Sequence, residues 1–190
     1  MHQSSRRPNL RNCRAAGFSL IESALATVIV GTGVLAIVAA QQAYHQKNDW
    51  AQRTGTAMLL ANELRELTLT LPQQDPLTGS ASVGAEENEL SVADFDDLDD
   101  FAGAVTDGLG AGLTFDPPIN ALRQEIADLP GWSQRIEVFN VLPSNISVDD
   151  ALTLPLGSTD MMRIKVTVFY QSPQEDAPSA MTQLSWVIGN

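Results

Sequence analysis

The sequence predicts an α+β protein in which one long amino-terminal helix, part membrane-spanning and part stalk, packs on a small antiparallel β-sheet head. Three observations predict it. Residues 18–40 form an apolar run in which Glu22 is the only ionisable side chain. Residues 41–71 continue without a helix breaker and keep an apolar stripe at helical spacing. Three late segments, 134–141, 162–171 and 181–188, alternate in the manner of half-buried strands. With 190 residues and no internal repeat, the chain holds one core and an appendage. Its divisions fall at 1–17 (a basic leader), 18–40 (apolar helix), 41–71 (amphipathic stalk) and 72–190 (globular head).

The leader carries Arg6, Arg7, Arg11 and Arg14, four of the 11 basic residues, whereas all 23 acidic residues lie beyond it. An acidic body of this kind repels phosphate backbones, which excludes a nucleic-acid partner. The single cysteine, Cys13, is also in the leader. The body therefore has no thiol for a disulfide, a nucleophile or a soft metal site, and an exported fold would be held by packing alone.

At a rise of about 1.5 Å per residue, a helix of residues 18–40 spans roughly 30 Å of hydrocarbon. Arginines before it and acidic mass after it orient the leader towards the cytoplasm and the rest outside. A secretory signal with cleavage after Val38-Ala39-Ala40 would need a shorter, uncharged core. A plain signal anchor accommodates the length and the flanks. It gives no reason, however, for Gly17 before Phe18, or for a carboxylate that hydrocarbon penalises by several kcal/mol.

The string Gly17-Phe18-Ser19-Leu20-Ile21-Glu22 after a short basic leader resembles the processing signal of type IV prepilins and of the pseudopilins of type II secretion. The resemblance implies a pilin-like fold and a place in the bacterial inner membrane. It also implies cleavage between Gly17 and Phe18 by a prepilin peptidase on the cytoplasmic side, with methylation of the new amino terminus. Cleavage there would create an α-amino group one turn from Glu22. In a bundle of such helices, the carboxylate of one subunit can pair with the amino terminus of a neighbour. Burial then makes the register specific, because an unpaired partner is costly. Glu22 would be an assembly residue, and the partners would be the peptidase and other pilin or pseudopilin subunits. A solvated Glu22 near the membrane surface is the bland alternative.

Gly31 and Gly33 lower helix stability by up to about 1 kcal/mol each. Family members often carry a proline in this region, but here none occurs between Pro8 and Pro72. The glycines would either soften the helix in the same way or allow close helix packing.

In the stalk, Trp50, Thr54, Ala57, Ala61, Leu64, Thr68 and Leu71 follow spacings of four and three, with Leu60 and Leu67 widening the stripe. Arg53, Glu63 and Glu66 mark the polar face. Residues 18–71 would form one helix of about 80 Å.

Residues 72–88 read as a loop rich in Gln, Asp, Pro, Ser and Gly. The acidic string that follows contains Asp94, Asp96, Asp97, Asp99 and Asp100. Two readings stand. Clustered carboxylates suit a hard cation such as calcium, and minor pilins of the mannose-sensitive haemagglutinin type resemble this chain in a string like Asp96-Asp97-Leu98-Asp99-Asp100-Phe101. The other reading is a solvated acidic turn with Phe95, Leu98 and Phe101 tucked inward. An EF-hand is excluded, since the twelfth place from Asp94 is Val105 and the sixth is not glycine.

Gly108-Leu109-Gly110-Ala111-Gly112 lacks the lysine of a phosphate loop and reads as a turn. Residues 118–128 could hold a short helix. In the second late strand, Ile164, Val166, Val168 and Tyr170 share one face and Arg163, Lys165 and Thr167 the other. Three antiparallel strands, or four, would lay their apolar face on the helix stripe. Asn145-Ile146-Ser147 fits a glycosylation sequon, a pattern short enough to recur by accident.

His2 is in the leader and His45 on the stalk, so the head lacks the histidine of a hydrolase triad or a metal-hydrolase site. The expectation is a non-enzymatic minor pilin or pseudopilin subunit, with no cofactor unless the acidic string takes calcium. Minor is favoured over major by the large acidic, cysteine-free head. The alternative is an exported soluble or signal-anchored extracytoplasmic binding domain.

Overall fold

Helix α1 runs Leu20–Thr68, 49 residues without interruption, in a computed structural model that describes residues 18–76, 83–146 and 153–189. The chain divides into two units, Met1–Asn48 and Asp49–Asn190. In the first, the described side chains are all exposed. The best window of α1 has a mean hydropathy of 2.2, long and apolar enough to cross a membrane. Its serine and threonine hydroxyls bond within the helix: Thr27 Oγ1 donates to Ser23 O at 2.8 Å and Thr32 Oγ1 to Val28 O at 3.0 Å. A side chain that bonds back to the preceding turn leaves no polar group in need of water.

The second unit is built on the carboxy-terminal part of α1. Ala57, Leu60, Ala61, Leu64, Leu67 and Thr68 are buried, as the spacing of four and three requires. Trp50, placed at the head of the expected stripe, is 65% exposed, so burial begins only at Ala57. The helix ends three residues before the expected Leu71: Leu69 N–H makes the last i to i−4 bond, to Arg65 O at 3.0 Å, and Leu71 N–H tightens onto Thr68 O at 3.4 Å as the chain turns ahead of Pro72, which disfavours helical backbone at the residue before it.

Among the described residues, the main sheet has four antiparallel strands in the order β3 (Leu113–Phe115), β4 (Trp132–Asn140), β5 (Met161–Tyr170) and β6 (Ser179–Gly189). The long register of β4 on β5 runs from Trp132↔Tyr170 to Asn140↔Met162, and that of β5 on β6 carries one irregularity at Val168/Phe169. Ile136, Val138, Ile164, Val166 and Val168 point inward and join Leu60, Leu64 and Leu67 in one core. The second face of β5 is not simply polar: Arg163 and Thr167 are also buried, and Arg163 Nη2 donates to Ile146 O.

Two expectations fail locally. Residues 118–128 form no helix, because Asn120 Oδ1 accepts the amides of Leu122 and Gln124, both at 2.9 Å, which replaces the helical ladder with turns. The glycine-rich run is more than a turn: β1 (Val105–Thr106) and β2 (Leu109–Gly110) pair as a small hairpin. The close packing of that run explains its composition. A Cβ at Gly110 would meet Ala102 O at 2.5 Å, and one at Gly112 would meet Ile136 O at 2.7 Å.

A buried glutamine joins the layers. Gln134, on β4, donates through Nε2 to Leu60 O of α1 at 2.8 Å and to Ile119 O at 3.1 Å, and its Oε1 accepts the Ile119 amide at 2.8 Å. Glu63, expected on the solvated face of the stalk, accepts the Ala121 amide at 2.7 Å. Arg53, expected there too, stacks 4.6 Å above the Tyr170 ring, which packs on Trp132.

Candidate functional site

Two places carry charge beside apolar surroundings: the start of α1, which opens the apolar run, and the loop between α1 and the sheet. At the first, Gly17 and the leader lie outside the described residues, while Phe18 is 82% exposed. Ser19 precedes the first helical residue and Glu22 stands in the first turn. Ser19 N–H and Ser19 Oγ both donate to Glu22 Oε2, at 2.9 and 3.0 Å, and Glu22 N–H donates to Ser19 Oγ at 3.3 Å. This is a capping box. It satisfies free amides at the helix start and places negative charge at the positive end of the helix dipole. Its signal, a serine followed three places later by a glutamate ahead of an apolar run, is legible in the sequence.

At the second place, the acidic string folds around a short 3₁₀ turn, Asp99–Ala102. Phe95, Leu98 and Phe101 are buried as expected, with Phe95 and Phe101 edge to face at 5.2 Å. The carboxylates do not form a solvated turn. Asp94 and Asp96 are exposed, but Asp97, Asp99 and Asp100 are 1%, 4% and 1% exposed. Backbone amides hold them there. Asp97 Oδ1 accepts the amides of Asp99 and Asp100 at 2.9 and 3.2 Å, while Asp100 Oδ2 accepts those of Asp96 and Asp97 at 3.0 and 3.2 Å. Asp99 Oδ2 accepts the Gly84 amide at 3.0 Å, which brings the loop residues 83–90 onto the string. Asp94 only closes its own turn, accepting from Ser91 N–H and Oγ.

Gly84 delivers two carboxylates that lie outside the string. Glu86, Glu89 and Asp100 each present an oxygen within 4.8 Å of the others, and so do Asp96, Asp97 and Asp100. The contributions of Glu86 and Glu89 were missed, although their acidic run was visible in the loop sequence.

Burial sets the protonation of this cluster. Asp97 is pushed up chiefly by desolvation, then by its hydrogen bond to the Asp99 carboxyl and the nearby charges of Asp99 and Asp100. Burial likewise raises Asp100 and Glu89 against the opposing pull of backbone hydrogen bonds. Among the described residues, the ion pairs are Arg135–Glu137 and Lys165–Glu137, and neither reaches Asp97, Asp99 or Asp100.

His45, the one histidine among the described residues, is exposed on α1 beside Tyr44. The chain was compared with protein families, characterised proteins and solved structures, and it matches none of them.

Proposed function

We propose that this chain is a prepilin-like subunit, a minor pilin or pseudopilin. It is processed between Gly17 and Phe18, held in the bacterial inner membrane with its head outside, and assembled through Glu22 into a type IV pilus or a type II secretion pseudopilus. The observation that carries the reading is the sextet from Gly17 to Glu22 at the start of an exposed apolar helix that continues into the packing stripe of an α+β head. A carboxylate in the first turn of such a helix is well placed for a new amino terminus on a neighbouring subunit. The head has no assigned chemistry in this reading and acts by contact, not by catalysis.

Intact-mass measurement of the membrane-bound chain, with and without a prepilin peptidase, tests the processing step. The expected result is peptidase-dependent loss of residues 1–17 and one added methyl group on Phe18. A chain that begins at Gln41, or one that keeps Met1 in the presence of the peptidase, overturns the proposal.

One observation favours a second reading, a signal-anchored extracytoplasmic domain that is never cut. Ser19 satisfies Glu22 within the same helix, so the carboxylate has a local role that needs no second subunit. Retention of Met1 is the outcome that selects this reading.

A further inference from the structure

We propose that Glu86, Glu89 and Asp100 hold a hard divalent cation of the calcium class, which fastens loop residues 83–90 to the 3₁₀ turn. This does not rest on the assembly reading, since a head on any anchor would hold the ion. Three observations carry it. The first is distance. Ligand oxygens 2.3–2.6 Å from one calcium ion lie at most about 5 Å apart, and the three carboxylate oxygens lie within 4.8 Å of one another.

The second is an unfilled valence. Asp100 is 1% exposed, and its Oδ1 is buried with no hydrogen-bond partner among the described residues. Its Oδ2 already accepts the Asp96 and Asp97 amides, so the carboxylate is held in place, and the group that approaches it is the Glu89 carboxyl, which can donate only while it keeps a proton. A buried carboxylate oxygen without a donor is costly, and either a proton or a cation must meet it.

The third is the donor set. All three side chains offer carboxylate oxygen, which suits calcium or magnesium and disfavours the metals that prefer thiolate or imidazole. Glu86 and Glu89 come from a loop without regular secondary structure, which tolerates the irregular, partly bidentate shell of calcium better than the octahedron of magnesium. An adjoining cleft lined by Gly84, Glu89, Phe95 and Asp100 gives the ion an entry and room for water ligands. The alternative group, Asp96, Asp97 and Asp100, is the weaker choice, because Asp96 is exposed and Asp97 Oδ1 already accepts two amides.

The test is calorimetric titration of the full-length, chelator-treated chain in detergent micelles with calcium ion alone, near neutral pH. One saturable site is expected, with affinity in the range of extracellular calcium modules, about 0.1–1 mM, and with a rise in thermal midpoint. Glu89→Gln and Asp100→Asn are each expected to weaken binding about tenfold or more, whereas Asp94→Asn and Asp96→Asn leave it unchanged. Should Asp100→Asn fail to fold by circular dichroism, Glu89→Gln decides. Absence of saturable binding by a folded chain up to about 10 mM calcium, well above that range, would assign the cluster to shared protons and overturn the proposal. Loss of binding in Asp96→Asn but not in Glu89→Gln would overturn it as well, by moving the ion to the exposed string.

Discussion

Ser19 and Glu22 cap the start of α1 reciprocally: the serine amide and hydroxyl donate to one glutamate oxygen at 2.9 and 3.0 Å, and the glutamate amide donates back to the serine hydroxyl. Glu22 therefore has two roles to separate, one within its helix and one proposed between helices.

Glutamine separates them, because it serves a capping box as glutamate does but carries no charge. Glu22→Gln is expected to be processed normally and to keep its helix, yet to be depleted from sheared filaments by immunoblot. Glu22→Ala should also be processed and depleted, and in addition loses the glutamate arm of the capping box, while Ser19 Oγ still accepts the residue-22 amide. Normal incorporation of Glu22→Gln would leave the carboxylate with the capping role alone.

Gln134 bonds to Leu60 of the helix and to Ile119 of the loop while it sits in the central part of the sheet. Gln134→Leu keeps most of the volume but strands the amide and carbonyl of buried Ile119, while Leu60 O keeps its helical donor. The expected loss is about 2 kcal/mol or more in urea unfolding of the full-length chain in detergent. A change under about 0.5 kcal/mol, the usual range of surface substitutions, would mean that these groups find water or other partners.

The acidic cluster predicts a pH dependence in the presence of chelator. Burial first, and then the Asp99 hydrogen bond and charge, raise the Asp97 carboxyl in the folded state to about 9 from 3.8. Across that window the folded chain keeps a proton that the unfolded chain releases. Stability is then full below about pH 4 and falls as pH rises towards about 9, by up to about 1.4 kcal/mol per unit for one proton. Urea midpoints are expected to be higher at pH 5 than at pH 8, and Asp97→Asn should flatten the profile. A midpoint that rises with pH would show Asp97 ionised in the fold.

What the sequence disclosed follows from range. The stripe at Ala57, Leu60, Ala61, Leu64, Leu67 and Thr68 and the alternation of Ile164, Val166 and Val168 each lie in one continuous segment, where side-chain period is set by backbone geometry. The burial of Asp97, Asp99 and Asp100 was not legible, because it depends on the Gly84 amide reaching Asp99 across fifteen positions. That contact also brings in Glu86 and Glu89. Residues 118–128 were misjudged for a local reason of another kind: one side chain, Asn120, captures two amides and competes with the helix. Arg53 and Glu63 were assigned to solvent by helical position, but Tyr170 and the Ala121 amide, both distant in sequence, claim them.

Two glycines test how far composition reflects packing. Gly55 lies within α1, and a Cβ there would meet nothing within 4 Å. Gly55→Ala removes only the entropic cost of glycine in a helix, so it is expected to stabilise the chain by about 0.5–1 kcal/mol. Gly112 has φ +76°, and its Cβ would stand 2.7 Å from Ile136 O, a backbone atom that cannot swing aside. Gly112→Ala is expected to destabilise by about 1–3 kcal/mol through left-handed strain and displacement of β4. Thermal midpoints of the two variants should therefore move in opposite directions. If Gly112→Ala proved neutral, the glycine-rich run would not be held against β4 as closely as its composition and the position of Ile136 O require.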